Sequence, residues 1–287
     1  MNALDRDLVC LPGLPFDRVT MDEALARIRS AVRDRRRLFL STPNLNFLIA
    51  AQRDDAFRGS IFDSDLSVAD GMPLVWVSRL IGTPLPERVT GSGLFERLRH
   101  DPLPEGTRPI RVYFFGGQPG AAEAAATNLN ASPGGLVCVG FESPGFGSVD
   151  DMSGDETLAR IEASGADFLI VALGAAKGQA WIQRNRGRLS VPVISHLGAV
   201  VNFAAGTVSR APRWIQHAGL EWAWRIKEEP SLWRRYASDA RAFAALFAGS
   251  VLPFAFRVRL GRALGRIGAP RSTFGRGPAI ARGHTFK

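Results

Sequence analysis

Short apolar runs of strand length alternate with helix-length stretches along most of this 287-residue chain, and that alternation leaves few folds open. Residues 38–42, 66–69, 111–115, 136–139, 168–172 and 191–195 are four or five residues long and rich in Val, Ile, Leu and Phe. Between them lie helical patterns. One opens on the capping-box spacing Thr20-Met21-Asp22-Glu23 and runs to about residue 34. Others cover 46–51, 56–62, 72–80, an Ala-rich stretch to about 130, 156–163 and 179–186. Strands linked this way form βαβ units, which predicts a mostly parallel sheet with helices on both faces. Pro102-Leu103-Pro104-Glu105-Gly106 reads as a linker between two halves of that sheet.

The predicted strands end on small or polar residues: Thr42 and Asn44, Asp70-Gly71, Gly116-Gly117, Gly174 and Gly198. In open α/β sheets, ligands bind beyond the carboxyl ends of the strands, where glycine permits close backbone approach and helix N-termini attract phosphate. Asp70 falls on that rim and is the best acid–base candidate, although an aspartate before a helix also reads as a cap. Thr42 and Asn44 carry the same two readings. The turn Gly116-Gly117-Gln118-Pro119-Gly120 suits either a nucleotide diphosphate or a tight βα connection, and it lacks the G-x-G-x-x-G fingerprint of a dehydrogenase. Asp63-Ser64-Asp65 has the form of a metal-binding pair, but it precedes its strand and is expected to be a solvated turn. The four histidines have no ligand spacing, so no metal is predicted.

Charge divides the chain. The net +9 belongs to residues 205–287, which hold fifteen basic and four acidic side chains, while residues 1–204 are slightly acidic. This predicts a catalytic body over 1–204 and a basic helical appendage over 205–287, with a disordered end from 275 to 287. Four of the six tryptophans (Trp214, Trp222, Trp224 and Trp233) are interleaved there with arginines. Such a composition fits a membrane interface, a nucleic-acid surface, or a helical pair packed on the core. Residues 242–256 carry no charge and are followed by Arg257, Arg259, Arg262 and Arg266. About 15 residues are too few to span a bilayer but suit a segment lying in the interface, which favours an anionic membrane surface over nucleic acid. Two lone cysteines and an acid-containing N-terminus without a long apolar run predict a cytoplasmic protein.

Several ordered pieces together resemble the WecG/TagA/CpsF family of bacterial glycosyltransferases over roughly residues 15–240. They are Thr42-Pro43-Asn44, Ala69-Asp70-Gly71-Met72 with Val75-Trp76, Glu87-Arg88-Val89-Thr90-Gly91-Ser92, and Phe115-Gly116-Gly117. Further on come Leu173-Gly174 with Lys177 and Trp181-Ile182, Gly206 with Arg210-Ala211-Pro212, Gly219-Leu220-Glu221-Trp222, Arg225, Glu229-Pro230 and Arg234-Arg235-Tyr236. The resemblance implies a Rossmann-like α/β body with a basic appendage, peripheral on the inner face of the plasma membrane. It implies inverting transfer of a hexose from a UDP-sugar to a polyprenyl-diphosphate-linked sugar in envelope polysaccharide synthesis, with no metal and no cofactor. Asp70 matches the family's proposed general base; Thr42, Asn44 and Arg88 match residues near the sugars; Arg210, Arg213 and Arg225 match arginines thought to reach the diphosphate. Gly116, Gly117 and Lys177 fall in matching motifs on the expected donor side. The family commonly has Pro-Lys-Gln-Glu where this chain has Ala176-Lys177-Gly178-Gln179, so Gln179 is expected to offer an amide to the sugar or uracil. That departure leaves the donor open among N-acetylmannosamine, its uronic acid and glucose. The resemblance gives no expectation of nucleic acid as a partner and leaves self-association open. A nucleic-acid-binding protein using the basic tail and an NAD-dependent dehydrogenase are the alternatives.

Overall fold

The computed structural model describes residues 6–264 except 104, 133 and 218, so the expected disordered end at 275–287 lies outside the described residues. Eight strands occur: β1 (Leu8–Leu11), β2 (Leu14–Asp17), β3 (Leu38–Ser41), β4 (Leu66–Ser67), β5 (Ile110–Gly116), β6 (Leu136–Glu142), β7 (Phe168–Ala172) and β8 (Val193–His196). The first two form an antiparallel hairpin turned at Gly13, which has a φ of 81°. The other six form one parallel sheet in the order β4-β3-β8-β7-β5-β6. The chain leaves β3 toward one edge and β5 toward the other, then returns through β7 and β8. The carboxyl ends of β3 and β8 therefore flank the reversal in strand order where α/β proteins seat ligands.

Among the described residues, thirteen α-helices accompany them. The first nine are α1 (Met21–Arg33), α2 (Leu45–Ala51), α3 (Asp55–Phe62), α4 (Met72–Leu80), α5 (Gly91–His100), α6 (Ala121–Asn130), α7 (Asp155–Ala163), α8 (Ala175–Asn185) and α9 (Gly198–Ala205). The expected capping box is present on α1, where the Thr20 hydroxyl accepts from the Glu23 N–H and the Glu23 carboxylate accepts from the Thr20 N–H. The β1–β2 hairpin, α5 and α9 are additions to the sequence reading. Pro12 and Pro15 disguise the hairpin, the glycines of Gly91-Ser92-Gly93 disguise α5, and the valines of α9 read as strand.

One face of the sheet is packed by a cluster containing Ile28, Leu40, Val112, Phe114, Ile170 and Val201. The other carries Tyr113, Phe115, Ile161, Leu169 and Trp181. A third cluster joins the hairpin to α2, α3 and α4, with Leu11, Phe16, Phe47, Phe57, Leu74 and Val77 at its centre.

The remaining helices are α10 (Arg213–His217), α11 (Glu221–Glu228), α12 (Trp233–Leu246) and α13 (Leu252–Ala263). The last two run as one helical rod through a π-helical turn, Phe247–Val251. Pro253 cannot donate a hydrogen bond, and a wider turn just before it lets the helix continue. The sequence reading of a 15-residue interfacial run is thus extended: the helix Pro230–Gly261 is long and apolar enough to cross a membrane by length and composition. Its base packs on the third cluster through Phe243, Phe247, Val251 and Ala255, and Asn46 donates to Asp239 at 3.1 Å.

Asp17 ties the hairpin to the main sheet. Its buried carboxylate accepts from Arg6 Nη2 at 2.6 Å, Arg27 Nη1 at 3.1 Å and the Ser67 N–H at 2.8 Å. Removing one partner of a buried ion pair strands the others without solvent. Asp17→Ala is expected to lower unfolding stability by about 3 kcal/mol in urea titrations; a loss below about 1 kcal/mol would show that the triad is not a structural tie.

Candidate active site

Asp70 stands on the rim because β4 is short. Its N–H donates to Pro43 O at 2.9 Å just past β3, and the next residue, Gly71, caps α4. The chain then returns: the Val89 N–H donates to Ala69 O at 3.1 Å, placing Thr90 and Gly91 beside the carboxylate. Thr90 caps α5 by accepting from the Gly93 N–H at 2.9 Å. The Gly91 N–H, in the first turn of α5, donates to Asp70 Oδ2 at 3.1 Å. A side chain at Gly91 would meet Leu197 Cδ2 at 2.5 Å and Thr42 Oγ1 at 3.3 Å, so the ends of β3 and β8 close around the same spot.

Burial raises the Asp70 carboxyl to about 6, and Glu221 pushes the same way, while the Gly91 N–H, Arg88 and Arg210 oppose them. Asp167 shows the opposite balance just before β7, at the amino-terminal end of the sheet. Burial would raise that carboxyl too, but Arg108 at 2.6 and 3.0 Å and the Arg111 N–H at 3.0 Å hold it below the usual range. The buried Asp167 is neutralised as an ion pair; the half-buried Asp70 is left prone to hold a proton near neutral pH.

The cations near Asp70 come from two distant segments. Arg88 Nη1 donates to Glu221 Oε2 at 2.6 Å and Nη2 to Gln216 O at 2.8 Å, joining the body to α10 and α11. Arg210 Nε lies 3.9 Å from Glu221 Oε1, too far for a hydrogen bond, and that buried N–H has no hydrogen-bond partner among the described residues. The arrangement is suited to an anion, which would meet a guanidinium donor without disrupting an existing bond. Sequence reasoning overlooked Glu221 as part of the site; its place in Gly219-Leu220-Glu221-Trp222 was the available signal.

The other expected residues are more dispersed. Thr42 is buried against Gly91. Asn44 caps α2, with Oδ1 accepting from the Phe47 N–H at 3.2 Å. Gly116 and Gly117 have φ of 104° and 90°, and a Cβ at Gly116 would lie 2.7 Å from Ala172 O. The Gly117 N–H already donates to Ala172 O, so sheet geometry accounts for these glycines. Lys177 Nζ donates to Gly147 O at 2.7 Å, anchoring the loop after β6. Gln179 is buried and donates from Nε2 to Ser41 Oγ at 3.0 Å, so in this conformation its amide serves the end of β3, not an open pocket. Arg225 pairs with Glu229 and lies over the Phe203 ring, and the side chain of Arg213 lies outside what is described. Asp63-Ser64-Asp65 is the expected turn, with Asp65 accepting from the Phe39 N–H.

His196, at the end of β8, has no ligand spacing with the other histidines. It is buried against Phe47 and Gly178, and burial lowers its pKa to about 4, which keeps the ring neutral. Among the described residues no group of three or more His, Cys, Asp or Glu is placed to hold a metal ion.

Comparison with known proteins matches residues 9–255 to the family described as Glycosyl transferase WecG/TagA/CpsF. An N-acetylglucosaminyldiphosphoundecaprenol N-acetyl-beta-D-mannosaminyltransferase of Bacillus spizizenii is 29% identical over 72% of this chain and 78% of its own length. A protein of the same name from Bacillus subtilis is 25% identical over 69% of this chain and 75% of its own.

The raised Asp70 carboxyl has a consequence for stability. Folding favours its protonated form, so that contribution is fully present below the unfolded value near 4 and is lost as pH rises through about 6. Asp70→Asn imitates the protonated state at every pH. It should be more stable than the parent at pH 8, by on the order of 2 kcal/mol, and the difference should vanish below pH 4. Urea unfolding at the two pH values checks this; equal stability at pH 8 would contradict it.

Proposed function

This chain belongs to the WecG/TagA/CpsF family of glycosyl transferases, and from that premise we propose that it moves a hexose from a UDP-sugar onto a sugar carried by polyprenyl diphosphate. The observation that carries the reading is the Asp70 carboxyl, half-buried at the strand-end rim and flanked by Arg88 and Arg210. In a single inverting displacement the acceptor hydroxyl oxygen bonds to the anomeric carbon as the bond from that carbon to the donor diphosphate breaks. Asp70 accepts the hydroxyl proton, and its affinity for protons suits work near neutral pH. The departing diphosphate gains negative charge, which guanidinium groups can stabilise with their planar donor pairs.

The names of the two Bacillus relatives favour N-acetylmannosamine as the transferred sugar and N-acetylglucosaminyl diphosphoundecaprenol as the acceptor. The changed Ala176-Lys177-Gly178-Gln179 segment keeps the uronic acid and glucose in the test panel. Membrane association is supported by the helix Pro230–Gly261 and by its exposed Leu252, Phe254, Phe256 and Leu260. Residues 205–287 carry the excess positive charge that an anionic inner leaflet would attract. Residues 1–204 act in this reading as the catalytic body and 205–287 as the membrane-associating appendage.

Incubation of the purified protein with UDP-sugars and a lipid-diphosphate N-acetylglucosamine acceptor should give a disaccharide lipid of inverted anomeric configuration. Asp70→Asn should reduce its turnover by about 100-fold or more. Absence of product across the panel would sink the transfer reading, whereas product with near-normal turnover in the variant would sink only the role of Asp70.

A further inference from the structure

The third hydrophobic cluster reaches the surface in a groove of about 500 Å³ between α4 and the base of the rod. Its walls are Pro73, Trp76, Val77 and Leu80 from α4, and Phe243 and Phe247 from the rod. Trp76 is 54% exposed, a large indole left in water at a place where nothing in the fold requires it. We propose that this groove seats the first isoprene units of the acceptor lipid; the inference rests on the polyprenyl-acceptor reading above.

The argument is one of continuity and charge. Helix α4 begins two residues after Asp70, so Pro73 lies in its first turn, next to the reacting group. At about 1.5 Å per residue, Leu80 is about 10 Å farther along the axis, and the walls are apolar over that whole length. Arg88, Arg210 and Glu221 gather around Asp70 at the near end. The loop at Gly219 lies directly over the start of α4, where even a Cβ would come within 2.5 Å of Met72 Cγ. A ligand lying here would have the acid and its neighbouring guanidinium groups at one end, where donor and acceptor diphosphates would share them, and a purely apolar channel at the other. A lipid diphosphate bearing a sugar has that order of chemistry: hydroxyl, pyrophosphate, branched hydrocarbon.

A bilayer surface is the weaker occupant. The outward side of the rod, with Phe254 at 53% and Phe256 at 67% exposure, already offers a convex apolar face to acyl chains. The groove is concave and lies between rod and body, and its α4 wall begins three residues after Asp70, at Pro73. The rod accordingly serves two purposes: its far part faces lipid, and its base forms one wall of a substrate channel.

The test compares two synthetic acceptors in detergent-free solution, N-acetylglucosaminyl diphosphate carrying either a four-isoprene chain or a methyl group. The parent should use the long-chain acceptor with at least tenfold higher kcat/KM. Trp76→Gln, a change at an exposed position, should cut that long-to-short ratio about tenfold. A benzophenone-tipped prenyl diphosphate should photolabel peptides spanning 72–80 or 243–247. An unchanged ratio, a ratio that falls only when vesicles are added, or labelling confined to 252–264 would overturn the groove assignment. If the parent used neither acceptor, the transfer reading itself would fall and the groove proposal with it.

Discussion

Partial withdrawal of one carboxyl group from water is the constraint on which the rest of the site depends. Asp70 sits where β4 ends after two residues and α4 begins, with the Gly91 N–H as a donor and, among the described residues, no ion pair as close as those that hold Asp167. Both acids lie just beyond strand ends, yet one is held below the usual carboxylate range and the other is raised to about 6. The difference is the number and closeness of the guanidinium donors, which decides whether burial or pairing wins. An acid of the second kind can take a proton near neutral pH, and that is what displacement by a sugar hydroxyl requires.

The surroundings of that carboxyl come from parts of the chain far apart in sequence. Thr42 comes from the end of β3, Gly91 from the start of α5, Arg88 from the segment between α4 and α5, and Arg210 and Glu221 from beyond β8. The contact of Arg88 with Glu221 and Gln216 O means that the helices after β8 do more than follow the body: they complete the rim. The same helices lead to the rod, so the site and the apolar surface are mechanically joined.

Much of this was legible in the sequence. The β-branched and aromatic runs revealed all six strands of the parallel sheet, and the glycines and polar residues at their ends marked the rim and Asp70. Elements whose local signals conflict with their final structure were less legible. Pro15 sits in β2 because the hairpin has a single partner strand, and the valines of α9 become helical because they pack on β7 and α6. Pro253 has no N–H for a regular helix, and the π-helical turn before it lets the rod continue. The pairing of Arg88 with Glu221 spans 133 residues and has no local signature. Gln179 shows the converse: its motif suggested a ligand contact, while packing of α8 on β7 and β8 leaves its amide turned inward to Ser41.

The most direct test of the central claim is the pH dependence of kcat/KM for transfer to a lipid-diphosphate acceptor, which reports ionisations of the free enzyme. If the rim carboxyl is the proton acceptor, the rate should climb with pH through an inflection at about 6, matching the raised Asp70 value. A profile that is flat from pH 5 to 8, or one whose acid limb lies near 4, would mean that the rim carboxyl takes no part in the step.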